Sequence, residues 1–201
     1  MENPNQFDGL ETFEHIVVLM LENRSFDNLL GYLYKNDEIP QEKSFDGLYS
    51  PNTDYANPIP ARASSDPGKT SISPSRAANY SMPYPDPGEE YPHVNTQLFN
   101  VIIPESNIGK ADDKMTTPYN LPASTTAPSM NGFVNDYENT LRSTYNIENP
   151  TYEQYEVIMQ CFEPDQIPAM VTLAKEFAVF DHWYCSVPSQ TYCNRAFWHA
   201  A

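Results

Sequence analysis

Apolar positions along the chain gather into a few short patterns separated by long polar stretches. His15-Ile16-Val17-Val18-Leu19-Met20-Leu21 is a continuous, partly β-branched run, the pattern of a strand covered on both faces in a parallel sheet. Directly after it, Ser25 can cap a short helix, Asp27 suits its first turn and Gly31 can end it. Phe133, Val134, Tyr137 and Leu141 recur at helical spacing within 130–141, and Tyr152, Tyr155 and Met159 do so within 151–161. A further helix is predicted where Asp165 can cap, Pro168 falls in the first turn, and Ile167, Met170, Val171 and Ala174 form one stripe. It leads into Phe177-Ala178-Val179-Phe180-Asp181-His182-Trp183-Tyr184, a second strand candidate.

Strand and helix units thus bracket residues 35–129, which have little sustained periodicity. A structureless stretch of that length inside one domain implies a functional lid or an insertion, so 35–129 is expected to be a loop-rich insertion or cap. Nine of the 19 prolines lie between Pro51 and Pro92, which agrees with an irregular path. The alternation of elements predicts an α/β fold, a mostly parallel sheet flanked by helices. No internal repeat of solenoid or propeller period is evident.

Composition narrows the functional classes. A chain of 201 residues with 40% hydrophobic and 13% aromatic residues can bury a core, which excludes wholesale disorder. A net charge of -16 repels nucleic acid and anionic lipid surfaces. The same field repels a phosphate group, so phosphate chemistry here would need a local cation, which a bound metal supplies. Met1 to Leu10 lacks a basic and apolar leader pattern, and Ile16 to Leu21 is too short to span a bilayer; a cytoplasmic chain without a stable membrane anchor is expected. Cys161, Cys185 and Cys193 are odd in number and lack paired zinc spacing, which suits reduced thiols.

Two segments could carry chemistry. In open parallel sheets function collects at the carboxyl ends of strands, where Glu22 and Asn23 would sit, offering hard oxygen ligands for a divalent ion; equally, they could cap the following helix. After the second strand candidate, Ser189 and Thr191 are both eligible as hydroxyl nucleophiles at the mouth of a helix, or serve as turn and cap residues. His15 is expected to be structural. Asp181 and His182, adjacent in a strand, would face opposite sides, and neither is assigned to a site.

Phe13-Glu14-His15 through Leu21-Glu22-Asn23-Arg24-Ser25-Phe26-Asp27 to Gly31 resembles the N-terminal signature of the bacterial phospholipase C and acid phosphatase family of phosphoesterases, within the alkaline phosphatase superfamily. Ile167-Pro168 through Leu173-Ala174, Phe177-Ala178-Val179, Asp181, and Ser186-Val187-Pro188 up to Thr191, Asn194 and Arg195 resemble its second block, which ends in Thr-x-Pro-Asn-Arg. Pro85-Asp86-Pro87 with His93, and Met130-Asn131-Gly132-Phe133, are similar to weaker landmarks between them. The resemblance implies a divalent metal ion held by Glu22 and Asn23, and Thr191 as the nucleophile that takes the phosphoryl group. It further implies His93 as a phosphate contact or proton donor, and Asn194 and Arg195 as substrate-binding residues that shape the nucleophile turn. The oxygen donors suit several divalent ions.

Cys193 stands where the family has Pro. The family's remaining acidic ligands and histidines lie downstream of the nucleophile, so 1–201 is expected to be the N-terminal part of a single phosphoesterase domain, C-terminally incomplete. The implied function is metal-dependent hydrolysis of a phosphate ester, phospholipid or small molecule, through a phosphothreonine intermediate. The alternative is a catalytically inactive truncated fragment or pseudoenzyme acting as an interaction module.

Overall fold

The apolar positions predicted within 130–141 all point inward on one helix, α3 (Phe133–Tyr145), which is buried without interruption from Val134 to Leu141. A computed structural model describes residues 13–49, 54–63, 68–123 and 127–200; the leader reading of Met1 to Leu10 lies outside them. Val134, Tyr137 and Leu141 form the main core with Ile72, Tyr155 and Met159. Gly132 at the start of α3 offers no side chain to its free N–H groups. Asn57 takes that role from another strand: its Oδ1 accepts from Phe133 N at 2.7 Å and Val134 N at 3.4 Å.

Asn57 lies in β1 (Asn57–Pro58), which pairs antiparallel with β2 (Ser71–Ile72). β3 (Ser75–Arg76) pairs in parallel with β4 (Gln160–Cys161). These are the strand pairs among the described residues, so the fold mixes helices with two small sheets. The larger parallel sheet expected from the two apolar runs is not formed. Residues 15–21 and 177–184 include no strand, and Val17 and Leu19 are 92% and 80% exposed. A strand exists only where neighbouring backbone completes its ladder, and among the described residues nothing pairs with either run.

α2 (Tyr91–Phe99) crosses α3 at very short range: a Cβ on Gly132 would lie 1.9 Å from the carbonyl oxygen of Thr96. The irregular chain after α2 stays in place because asparagines satisfy its backbone. Asn120 Nδ2 donates to Thr96 Oγ1 at 2.9 Å and its Oδ1 accepts from Ile103 N at 3.1 Å. Asn107 Oδ1 accepts from Thr116 N at 2.9 Å.

The remaining helices follow their sequence signals closely. α1 (Phe26–Leu30) is capped by Ser25, whose side chain accepts from Asn28 N. The predicted helix within 151–161 splits into α4 (Tyr152–Tyr155), opened by a Thr151–Gln154 capping box, a 3-10 turn (Glu156–Met159) and then β4. α5 (Pro168–Glu176) begins at Pro168 as expected. Asp165 does not cap it: its carboxylate pairs with Arg76 instead, through bonds of 2.7 and 2.8 Å. Ala174 of α5 closes a second small core with Leu33 and Tyr34. α6 (Thr191–Ala200) ends the described chain. No helix among the described residues is long and apolar enough to cross a membrane.

Two outcomes follow from this packing. Asn57→Ala removes the remote cap of α3 and is expected to lower stability by about 1–2 kcal/mol, read as a shifted denaturant midpoint; an unchanged midpoint would mean that water caps the helix equally well. Cys161 is buried, and burial, reinforced by Asp27, pushes its thiol up to about 12, so the native protein should alkylate at Cys185 and Cys193 well before Cys161. Peptide mapping by mass spectrometry reads the order, and denaturant should abolish it.

Candidate active site

The residues assigned from sequence lie far apart along the chain, yet Glu22, Asn23, His93, Thr191, Asn194 and Arg195 all line one open cleft of about 1670 Å³. Three segments carry these residues: the turn after the first apolar run, the start of α2, and the loop leading into α6; α3 and residues 77–90 add further lining. Asn23 turns the chain there with φ of 66°, a backbone state that Asn tolerates better than most residues.

The loop before α6 is shaped by one side chain. Asn194 Oδ1 accepts from Val187 N at 3.1 Å, while its Nδ2 donates to the carbonyl oxygens of Val187, Ser189 and Gln190 at 3.2, 2.9 and 3.3 Å. The amide of Asn194 is therefore spent on the turn that delivers Thr191 as the first residue of α6. The Thr191 hydroxyl donates to Glu89 Oε2 at 3.2 Å. Ser189, the other eligible hydroxyl, is turned to the neutral side chain of Gln190.

Arg195 forms an ion pair with Glu22, tying α6 to the turn after the first apolar run. Its Nε is buried and has no hydrogen-bond partner among the described residues, so one donor of the guanidinium is left over. Glu22 and Asn23 offer the oxygen donors that a hard divalent ion takes, and the Glu22 carboxylate already seats a cationic group. The donor set fits such an ion.

In the same cleft lining, His93 is 4% exposed and its Nδ1 lies 2.8 Å from Oδ1 of Asp136, itself 2% exposed. Gln97 Nε2 donates to Asp136 Oδ2 and to the carbonyl oxygen of Gly88, both at 2.8 Å. Gly88 must lack a side chain, since a Cβ there would lie 2.1 Å from the imidazole. Burial lowers the His93 pKa, but the charge and hydrogen bond of Asp136, with Glu90 and Asp112, outweigh it and hold the imidazole above its usual value. Burial raises Asp136 against the opposing pull of His93 and Gln97. Glu90, His93 and Asp112 also bring one donor atom each within 4.8 Å of one another, a second arrangement that could hold a metal ion.

Sequence reading missed Glu89, Gln97 and Asp136. For Gln97 the available signal was its interval of four residues from His93, which sets both on one face of α2; no interval ties Glu89 or Asp136 to the site. Asp181 and His182 stay outside the cleft lining and bond to each other at 2.9 Å, with Asp181 Oδ2 accepting from Asp46 N at 2.7 Å.

The curated relatives include three non-specific phospholipases C of Arabidopsis thaliana. Phospholipase C3 is 33% identical over 187 residues, covering 92% of this chain and 29% of its own length. Phospholipase C6 is 33% identical over 186 residues, covering 92% and 27%, and phospholipase C1 is 30% identical over 200 residues, covering 100% and 29%. The chain thus spans under a third of the length of the relatives it matches. No solved structure matches it significantly. The model of the Phosphoesterase family matches residues 13–201, nearly the whole chain, and the chain belongs to that family.

Proposed function

We propose that this chain contributes the nucleophile and part of the metal site to a phosphoesterase of the phospholipase C or acid phosphatase type, acting through a phosphothreonine intermediate. The observation that carries the reading is the meeting of Glu22, His93, Thr191 and Arg195 around one cleft, although they are separated by most of the sequence. In the whole protein, residues 35–129 would serve as the wall that presents His93.

Each residue has a role that its surroundings support. Glu89 accepts the hydroxyl proton of Thr191 as Oγ forms its bond to phosphorus and the bond to the leaving oxygen breaks. His93 in its charged form delivers a proton to that leaving oxygen. Water then attacks the phosphothreonine, His93 takes a proton from the water, and Thr191 recovers its own from Glu89. Arg195, which lines the cleft beside its partner Glu22, would meet a phosphate oxygen through its guanidinium, and Asn194 serves the substrate by holding the nucleophile turn. A divalent ion held by Glu22 and Asn23 would supply the positive charge that an acidic chain otherwise lacks, and would make the threonine hydroxyl more acidic.

The plant relatives, named as non-specific phospholipases C, favour a phospholipid substrate, and so does the cleft. Its α6 side is lined by Trp183, Tyr184, Phe197 and Trp198, an apolar and aromatic surface suited to the glyceride portion of a lipid.

Thr191→Ala is expected to lower turnover by the whole protein on the order of a thousandfold or more, about 4 kcal/mol of barrier. The assay follows 4-nitrophenyl phosphate and phosphocholine release from phosphatidylcholine. A variant that keeps most of its rate would overturn the nucleophile assignment. Dialysis against a chelator should abolish the rate and added divalent ion should restore it. Glu22→Gln is expected to raise the ion concentration needed for half-maximal activity by about tenfold or more, and an unshifted requirement would remove Glu22 from the metal site.

A further inference from the structure

We propose that Asp136 is the positioning residue of this site: through Oδ1 it keeps a proton on His93 Nδ1, so that Nε2 is the nitrogen that exchanges a proton in the cleft. The functional consequence rests on the phosphoester chemistry proposed above, whereas the proton placement stands on geometry alone.

Three restraints converge on the ring. The first is the 2.8 Å contact to Asp136, made between two almost fully buried groups. An ionised carboxylate only accepts, so the hydrogen of this contact sits on Nδ1. The second is Gln97, which donates to the other carboxylate oxygen and to Gly88 at 2.8 Å, and so fixes the plane of the carboxylate that the ring must meet. The third is Gly88, whose missing side chain is the space the imidazole fills. A ring held at Nδ1 and packed on its face leaves Nε2 for chemistry; besides Asp136, the acids near the ring are Glu90 and Asp112. Both His93 and Asp136 line the cleft, as does Gln97.

A buried acid could instead be a purely structural partner of α2. What separates the two roles is the proton. In Asp136→Asn, the Gln97 amide still donates, which draws the new carbonyl oxygen toward Gln97 and turns the new NH2 toward His93. That NH2 can only donate, so Nδ1 becomes an acceptor and the neutral ring must carry its hydrogen on Nε2. The outcome is a change of tautomer with little change of shape.

The decisive measurement is the 15N spectrum of His93 in the wild-type chain, at a pH where the ring is neutral. A protonated Nδ1 and a bare Nε2 are expected, and a hydrogen on Nε2 would overturn the inference; this holds whether or not any variant folds. In Asp136→Asn the two resonances should exchange character. In the whole protein, kcat should fall on the order of a hundredfold with KM nearly unchanged. Gln97→Ala leaves the carboxylate and should keep the wild-type tautomer. An Asp136→Asn protein with unaltered tautomer and unaltered kcat would sink the proposal. Failure of Thr191→Ala to lose activity would overturn the phosphothreonine reading and leave the tautomer result standing, so the two can fail separately.

Discussion

A helix buried on every side must find a partner for each polar group it carries, and α3 carries many. Asn135, Asp136, Glu138, Asn139 and Thr140 are all buried, and each unpaired polar group in such a place costs about 1–3 kcal/mol. Asp136 is met by His93 and Gln97 of α2, the Thr140 hydroxyl donates to Asp136 O within α3, loops supply several of the other partners, and Asn139 Nδ2 has none among the described residues. Glu138 meets Arg62 at 2.8 Å and also pairs with Arg142. Arg62 continues to the side chain of Asn135 at 2.6 Å. Asn139 Oδ1 accepts from Gly109 N at 2.6 Å, and the buried Tyr137 hydroxyl donates to Pro85 O at 2.9 Å. The loops that cross this part of the molecule are tethered to one helix by polar side chains, where an ordinary domain would tether them with a sheet.

The same constraint explains which parts of the fold were legible. Ser25 and Pro168 act through local geometry, so their sequence context suffices to place α1 and α5. The α3 stripe was legible because Val134, Tyr137 and Leu141 repeat at the helical period. Its burial on the polar side was not, since charged residues between apolar ones normally mark the solvent face. Residues 15–21 show the converse failure. Their β-branched run describes a strand well, but strand pairing belongs to the neighbours and not to the run itself. Asp165 had two competing uses, a helix cap and a partner for Arg76, and only the three-dimensional position of Arg76 decides between them.

The site divides along the same line. Glu22, Asn23, His93, Thr191 and Arg195 were assigned because the resemblance spans both ends of the chain, and the fold gathers them around one cleft. Asp136 and Gln97 belong to different helices, and what matters about them is a pairing across a helix crossing that no sequence interval encodes. Glu89 reads from sequence as one of two adjacent exposed acids in a proline-rich stretch. Its meaning comes from Thr191, 102 residues away.

Charge sets the terms on which such a cleft can work. With a net charge of -16, a phosphate approaches against the average field, and the two cationic groups assigned to the site are already engaged by acids, Arg195 by Glu22 and His93 by Asp136, while Arg24 of the same cleft donates to Asn28 and to the carbonyl oxygen of Tyr80. An engaged cation still attracts an anion, but the paired carboxylate cancels most of the gain at distances beyond a few ångströms. Under the proposed function, recognition of phosphate would depend on the bound divalent ion and on short-range, directed donors rather than on a positive surface. The guanidinium of Arg195, which lines the cleft, would be of that kind. So would a histidine whose second nitrogen is fixed from behind. In an acidic protein, placing a proton accurately can do what a basic patch does elsewhere, and under the proposed chemistry the buried carboxylate behind His93 would belong to the functional unit.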